Sequence, residues 1–235
     1  ETLMNFPEFY NACNFIIHEK SDFLINEQKK NLKSKKFSWL INLEKINTKP
    51  TIFLANEFFD AIPIKQFFKK KGQWFERFVD FYNLKNVKFR EEKTNIKKIE
   101  RLLKFEVSKN QNIIEFSPKT FKYLDTILKK IEKNNGGILI IDYGYLTSKM
   151  QESLQAVKNH KYSNVLKNIG DSDITYNISF NLLKQFADQF NNLDTIITNQ
   201  KKFLTSMGIL QRAEILSKNL SFSKKADLFY RIRRL

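Results

Sequence analysis

Three stretches of this chain share one pattern, a short unbroken apolar run that ends on an acid. They are Phe15-Ile-Ile-His-Glu19, Thr51-Ile-Phe-Leu-Ala-Asn-Glu57 and Ile138-Leu-Ile-Ile-Asp142. Apolar runs without alternation suit strands covered on both faces, as in parallel sheets. Helical patterns lie between them. Residues 21–32 read as a helix with Ser21 as its N-cap. Further on, Phe121, Leu124, Ile127, Leu128 and Ile131 fall on one helical face, opposite Lys129, Lys130 and Glu132. Ser117-Pro118 suits the N-cap and first turn of that helix, and Asn135-Gly136-Gly137 suits its stop. Helix, glycine stop, apolar strand, acid is the rhythm of an open α/β sheet, so the expected fold class is α/β, a Rossmann-like sheet with helices on both faces. Ligands of such sheets bind beyond the carboxyl ends of the strands, where Glu19, Asn56, Glu57 and Asp142 would stand.

The rest of the pattern is less regular. Gln73 to Phe81 is aromatic and partly alternating, which predicts a β-hairpin, whereas Arg90 to Lys104 is charged and reads as helical or loose. The chain is therefore expected to be a single domain, residues 1–235, with insertions at about 64–116 and 146–180. Order resumes near the end, with a strand expected over Asp194–Thr198, a helix over Gln200–Ser217 and a closing strand over Asp227–Arg233.

Composition narrows the chemistry. The 235 residues are 42% hydrophobic, enough for a real core. With one cysteine, Cys13, and two histidines, a Cys/His metal site is not expected. No apolar run approaches the roughly 18 residues of a membrane span. The formal charge of +16 invites a nucleic-acid reading, but the basic residues are scattered in short clusters and no RNA-binding aromatic signature accompanies them. Such a charge is read as a solvated basic surface that favours acidic partners, with no specific nucleic acid.

Six ordered segments then carry a resemblance. "LANEFFDAIPIKQF" is followed by "WFERFV" (Trp74 to Val79), "GGILIIDYGY" (Gly136 to Tyr145), "LQAVKNHKYSNVLKNIGDSDITYNISF" (Leu154 to Phe180), "TNQKKFLTSMGILQRAEIL" (Thr198 to Leu216) and "DLFYRI". Together they resemble the MidA-like family of S-adenosylmethionine-dependent methyltransferases, which includes a mitochondrial arginine methyltransferase linked to respiratory complex I assembly. The resemblance implies a class I methyltransferase sheet, S-adenosyl-L-methionine as cofactor, and arginine N-methylation of a protein substrate, a complex I subunit being one such partner. It implies bacterial cytoplasm or, as the alternative, the mitochondrial matrix. Two departures accompany it. The family's glycine-rich cofactor loop normally precedes Thr-Leu-Met, yet Thr2-Leu3-Met4 follows only Glu1, and Asn5-Phe6-Pro7 comes where a helix of about three turns is expected. The later Thr-Gln element is interrupted, as Thr198-Asn199-Gln200. The expectation is a fragment, with a catalytically inactive assembly or binding factor on the same fold as the alternative function.

Each candidate residue has a chemical and a structural reading. By the resemblance Glu19 accepts hydrogen bonds from the cofactor ribose; otherwise it caps the next helix. Asn56, Glu57 and Asp142 are candidates for cofactor binding. Glu57 and Asp60 are candidate catalytic acids, because a planar guanidinium pairs well with carboxylates and methyl transfer needs a positioned nitrogen. Alternatively Asp60 caps the turn at Pro63 and Glu57 makes a structural pair. The resemblance sets Tyr143, Tyr162 and Asp173 on the substrate side. His160 is a candidate proton acceptor, with a hydrogen-bonded structural loop residue as its alternative.

Overall fold

The computed structural model describes residues 2–46, 49–83 and 86–234. Glu1, where the expected glycine-loop departure falls, lies outside the described residues. In chain order the elements begin with α1 (Pro7–Ala12), β1 (Phe15–Ile17), α2 (Asp22–Asn31), β2 (Phe37–Trp39) and β3 (Thr51–Asn56). They continue with β4 (Lys65–Lys70), β5 (Gln73–Asn83), β6 (Asn86–Thr94), α3 (Lys97–Leu103), β7 (Ile113–Phe116), α4 (Pro118–Asn134) and β8 (Gly136–Ile141). Then come β9 (Gly144–Tyr145), β10 (Gln155–Lys158), β11 (Lys161–Ser163), β12 (Asp173–Thr175) and β13 (Ile178–Ser179). The helices α5 (Phe180–Ala187), α6 (Gln200–Ser206), α7 (Ile209–Ser217) and α8 (Phe222–Arg233) complete the series. Two compact units result, one of Glu1–Leu54 with Ile62–Leu139 and one of Ala55–Ala61 with Ile140–Leu235.

In the first unit the expected caps form. Ser21 Oγ accepts from the Leu24 amide at 3.3 Å and opens α2. Ser117 Oγ accepts from the Thr120 amide at 3.1 Å and opens α4, with Pro118 at its start. The apolar face of α4 is buried as its spacing predicts, through Phe121, Leu124, Ile127, Leu128 and Ile131. The insertion at 64–116 builds the largest sheet among the described residues, antiparallel in the order β6-β5-β4-β7. The hairpin prediction holds for β5, but β6 continues through Arg90–Thr94, a stretch expected to be helical or loose. Glu91 faces Arg77 across the ladder, and Arg90 pairs with Asp80 and Glu92, so these charges are met within the sheet although Glu92 itself lies opposite Glu76. Ring pairs Phe67–Phe116 at 6.1 Å and Phe116–Phe121 at 5.9 Å join this sheet to α4.

The three strands with acidic endings all exist, but in a different architecture. β1 pairs in parallel with β2, and β3 pairs with β8, as two separate two-stranded sheets. The Thr51 amide donates to Asn135 O at 3.3 Å and the Glu57 amide to Ile141 O at 2.9 Å, so β3 and β8 run parallel. This is a mixed α/β fold of small sheets in place of one broad Rossmann-like sheet. Nor is β3 covered on both faces, as its unbroken apolar run predicts. Only Ala55 is buried, while Ile52 and Leu54 are 70% and 77% exposed, because among the described residues no element covers that face. Gly136 is indispensable to the β3–β8 pairing: a Cβ there would lie 2.0 Å from Thr51 O.

In the second unit, β10 pairs with both β11 and β12, and β13 pairs in parallel with β9. Helix α5 buries Leu182, Leu183 and Phe186. Three expectations fail here. Residues 194–198 form no strand, for no neighbouring strand supplies hydrogen bonds and Ile196 is 88% exposed. The helix expected over Gln200–Ser217 is split into α6 and α7 by Gly208 at φ +83, a left-handed conformation that halts a helix. Asp227–Arg233 is not a strand but the body of α8, where Asp227 and Arg231 pair one turn apart. No helix among the described residues is long and apolar enough to cross a membrane.

Candidate active site

Where β3 ends, the chain turns sharply within the second unit. Glu57 has φ +45, a left-handed conformation that costs a residue with a side chain on the order of 1–3 kcal/mol. Phe59 anchors the turn, fully buried at 0% exposure and edge-on to Phe58 at 5.0 Å. Asp60 follows at 5% exposure, and its Oδ1 is buried with no hydrogen-bond partner among the described residues. An unpaired buried carboxylate oxygen is expensive and points to a ligand or a proton.

Asp142 stands where β8 ends, and its carboxylate holds this turn. Oδ2 accepts from the Phe59 amide at 3.1 Å and the Asp60 amide at 3.3 Å, and Oδ1 accepts from the Tyr143 amide at 2.9 Å. The Tyr143 hydroxyl donates to Glu57 Oε1 at 3.2 Å, with Tyr143 itself 61% exposed. From the insertion at 146–180, the Tyr176 amide donates to Asp60 O at 3.3 Å and the Ile178 amide to Tyr143 O at 2.8 Å. Asn177 and Ser153 steady this return through a 2.9 Å bond from the Asn177 amide to Ser153 Oγ. The structure thus joins Glu57, Asp60, Asp142 and Tyr143, and adds Tyr176, which acts through its backbone and so carries no side-chain signal in the sequence.

The electrostatics are one-signed. Burial pushes the Asp142 carboxyl up to about 6, and the charge of Asp60 adds to this against the three backbone N–H groups. Burial also raises Asp60, with Glu57 adding to it, while the Ala61 amide and its own amide pull it back. The Tyr143 phenol is raised first by its hydrogen bond to Glu57, then by that residue's charge. The charged groups acting on Asp60 and Asp142 are themselves acids, so the turn presents negative charge suited to a cation.

The other candidates are placed as follows. Asn56 is the exposed last residue of β3. Glu19 belongs to the first unit, where its Oε1 accepts from the Lys20 amide at 2.7 Å and the Ser21 amide at 2.9 Å, at the entrance of α2. The Ser21 bond is the main cause that lowers its carboxyl, against burial. His160 and Asn159, both at positive φ, form the exposed two-residue turn between β10 and β11. Tyr162 is 82% exposed on β11, and Asp173 opens β12 opposite Val157. No group of three or more His, Cys, Asp or Glu suited to a metal occurs among the described residues.

Comparison with known proteins gives this arrangement a context. A sequence profile of the family described as "Putative S-adenosyl-L-methionine-dependent methyltransferase" matches residues 1–198. The chain is 28% identical over 220 residues to the mitochondrial protein arginine methyltransferase NDUFAF7 homolog of Caenorhabditis elegans, covering 83% of this chain and 50% of that protein. It is 28% identical over 193 residues to the Danio rerio NDUFAF7, covering 82% of this chain and 45% of that protein. The chain thus spans about half the length of these relatives. A Burkholderia thailandensis protein solved with bound S-adenosyl-homocysteine has a similar fold, at a TM-score of 0.69 and 18% identity over 92% of this chain and 58% of that one.

Proposed function

We propose, from a chain that belongs to this S-adenosyl-L-methionine-dependent methyltransferase family, that its acidic turn receives a nitrogen-bearing cation, the side chain of a protein arginine, for N-methylation. The observation that carries the reading is the buried, unpaired Asp60 Oδ1 in a turn whose neighbouring charges are Glu57 and Asp142. The family's cofactor is S-adenosylmethionine, and the residues present fit its positive charge, since its sulfonium and ammonium groups would meet acids at this turn. The cofactor supplies an electrophilic methyl group. Asn56 and Glu57, at the end of β3, are the residues proposed to hold it at this turn.

The chain's own residues handle the acceptor. A guanidinium is protonated at any ordinary pH, and its nitrogen gains nucleophilic character when carboxylates bind its N–H groups and take the proton that methylation releases. Asp60, raised above the usual carboxylate range, suits that acceptance, and Glu57 with Tyr143 forms an exposed rim for orienting the group. Tyr162 and Asp173 are assigned to the polypeptide around the arginine; His160, at a hairpin apex, is kept as a peripheral contact. The protein arginine methyltransferases of worm and zebrafish support the choice of acceptor, and a respiratory complex I subunit is the partner class that the MidA-like resemblance implies. The compartment proposed is the bacterial cytoplasm, with the mitochondrial matrix as the alternative.

The test measures binding of S-adenosyl-homocysteine by calorimetry and transfer of labelled methyl from S-adenosylmethionine to arginine peptides by the intact protein. Binding and transfer to arginine peptides, with none to lysine-substituted peptides, is the expected result. Binding without any transfer, or no binding at millimolar cofactor, would overturn the enzyme reading and favour the assembly factor.

A further inference from the structure

Asp142 occupies a strand end where a cofactor ligand is expected, yet its carboxylate is already engaged. Both oxygens accept backbone N–H groups, two on Oδ2 and one on Oδ1, and two of the three donors belong to the turn that carries the candidate acids. We propose that Asp142 is a positioning residue: it clamps the Phe59 and Asp60 amides and thereby sets where the Asp60 carboxylate stands, without touching cofactor or acceptor itself. This rests on the methyltransferase reading above and assigns a division of labour within that site.

Three features favour a clamp over a ligand. Asp60 lies in a turn outside every helix and strand, so helix or strand hydrogen bonds do not fix it; its backbone is held by the Asp142 clamp and the Tyr176 amide. Phe59, wholly buried, makes the turn a lever, because a shift of its amide carries the ring into packed surroundings. Glu57 leaves β3 in a left-handed conformation, which persists only where neighbours over-determine it, and Asp142 supplies two of those restraints across the same turn. A charged acceptor is well suited to this, since it holds N–H donors more firmly than a neutral one.

The test compares the wild-type chain with Asp142→Asn, which keeps one acceptor oxygen and the side-chain volume, and with Asp188→Asn as a control that also removes a surface charge. Amide hydrogen exchange at Phe59 and Asp60 is expected to speed up about tenfold or more in Asp142→Asn, as for loss of a charged hydrogen bond, and to stay unchanged in the control. In the same variant the affinity for S-adenosyl-homocysteine should stay within about twofold, while KM for an arginine peptide rises far more than kcat falls. Two results would overturn the clamp: exchange that does not change, or exchange that quickens with kinetics unaltered. A large loss of S-adenosyl-homocysteine affinity without faster exchange would make Asp142 a ligand instead. A wild-type chain that binds no S-adenosyl-homocysteine sinks the methyltransferase reading whatever the exchange shows, whereas unchanged exchange in Asp142→Asn sinks this inference whatever the wild type binds.

Discussion

Buried acids occur in both units of the protein, and their surroundings differ in kind. In the hairpin sheet Glu115, 3% exposed, accepts from Gln66 Nε2 at 2.6 Å, and Arg77 donates to the same Gln66 at 3.3 Å. Nearby in that unit Glu100, 8% exposed, accepts from the Ser108 amide and hydroxyl and pairs with Lys97 at 2.9 Å. In the turn after β3, Asp60 is equally buried, but one oxygen has no donor and the neighbouring charges are acids. A paired buried acid supports the fold around it. One left unpaired among other acids weakens the fold locally, and such sites are where binding is found.

The largest expected effect is that of Asp60→Asn. The amide removes a negative charge from beside Glu57 and Asp142, so folding stability by chemical denaturation should hold or rise. Methyl transfer should fall about 100-fold or more, the size of effect seen when one group that stabilises a transition state is removed. A variant that lost stability and kept its rate would reverse the assignment. Glu115→Ala should do the opposite. It strands Gln66 and its partners and costs about 1–3 kcal/mol of stability. Binding of S-adenosyl-homocysteine per folded molecule should not change.

Acid pH separates the two kinds of acid next. Asp142 is raised from 3.8 to about 6 by burial and by Asp60, so the folded chain binds this proton more tightly than the unfolded chain. Its contribution to stability is full below 3.8 and is lost as pH rises through about 6. Glu100 runs the other way. Burial is the largest influence on it and raises it, but the Ser108 hydroxyl, Lys97 and the Ser108 amide together bring it below 4.5. That contribution is present above 4.5 and is lost as pH falls through the folded value. Denaturation midpoints measured from about pH 3 to about 7 should therefore show a shallower loss with rising pH in Asp142→Asn, and a shallower loss with falling pH in Glu100→Gln.

How much of this was legible in the sequence follows from which interactions are local. Ser21 and Ser117 act on amides three residues away, so their caps could be read directly, as could the acids at the ends of β1, β3 and β8. The exposure of Ile52 and Leu54 depends on which elements cover β3, and an apolar run looks the same covered or bare. The ending "DLFYRI" resembles a strand over its own length. The helical period appears only when it is extended, with Ala226, Phe229, Tyr230 and Arg233 lining one groove of about 470 Å³ beside α6 and α7. The role of Asp142 was hidden for another reason. Its partners Phe59 and Asp60 offer backbone amides 82 or 83 residues away in sequence, and a backbone amide leaves no trace in residue type.

The smallest expected effect lies at the rim of the turn. Tyr143 joins Glu57 through a single 3.2 Å hydrogen bond on an exposed side chain, unlike the paired acids of the hairpin sheet. Exposed bonds of this kind contribute little to folding, so Tyr143→Phe should leave stability within about 0.5 kcal/mol. The ring and its packing stay, and only the donor to Glu57 is lost. If Glu57 orients the acceptor, the freed carboxylate becomes mobile, and KM for an arginine peptide should rise about threefold to tenfold while kcat changes less, since an ordinary net hydrogen bond of about 0.5–1.5 kcal/mol corresponds to that range. If KM and kcat are both unchanged, the Glu57–Tyr143 rim is only surface, and the acceptor is held by Asp60 alone.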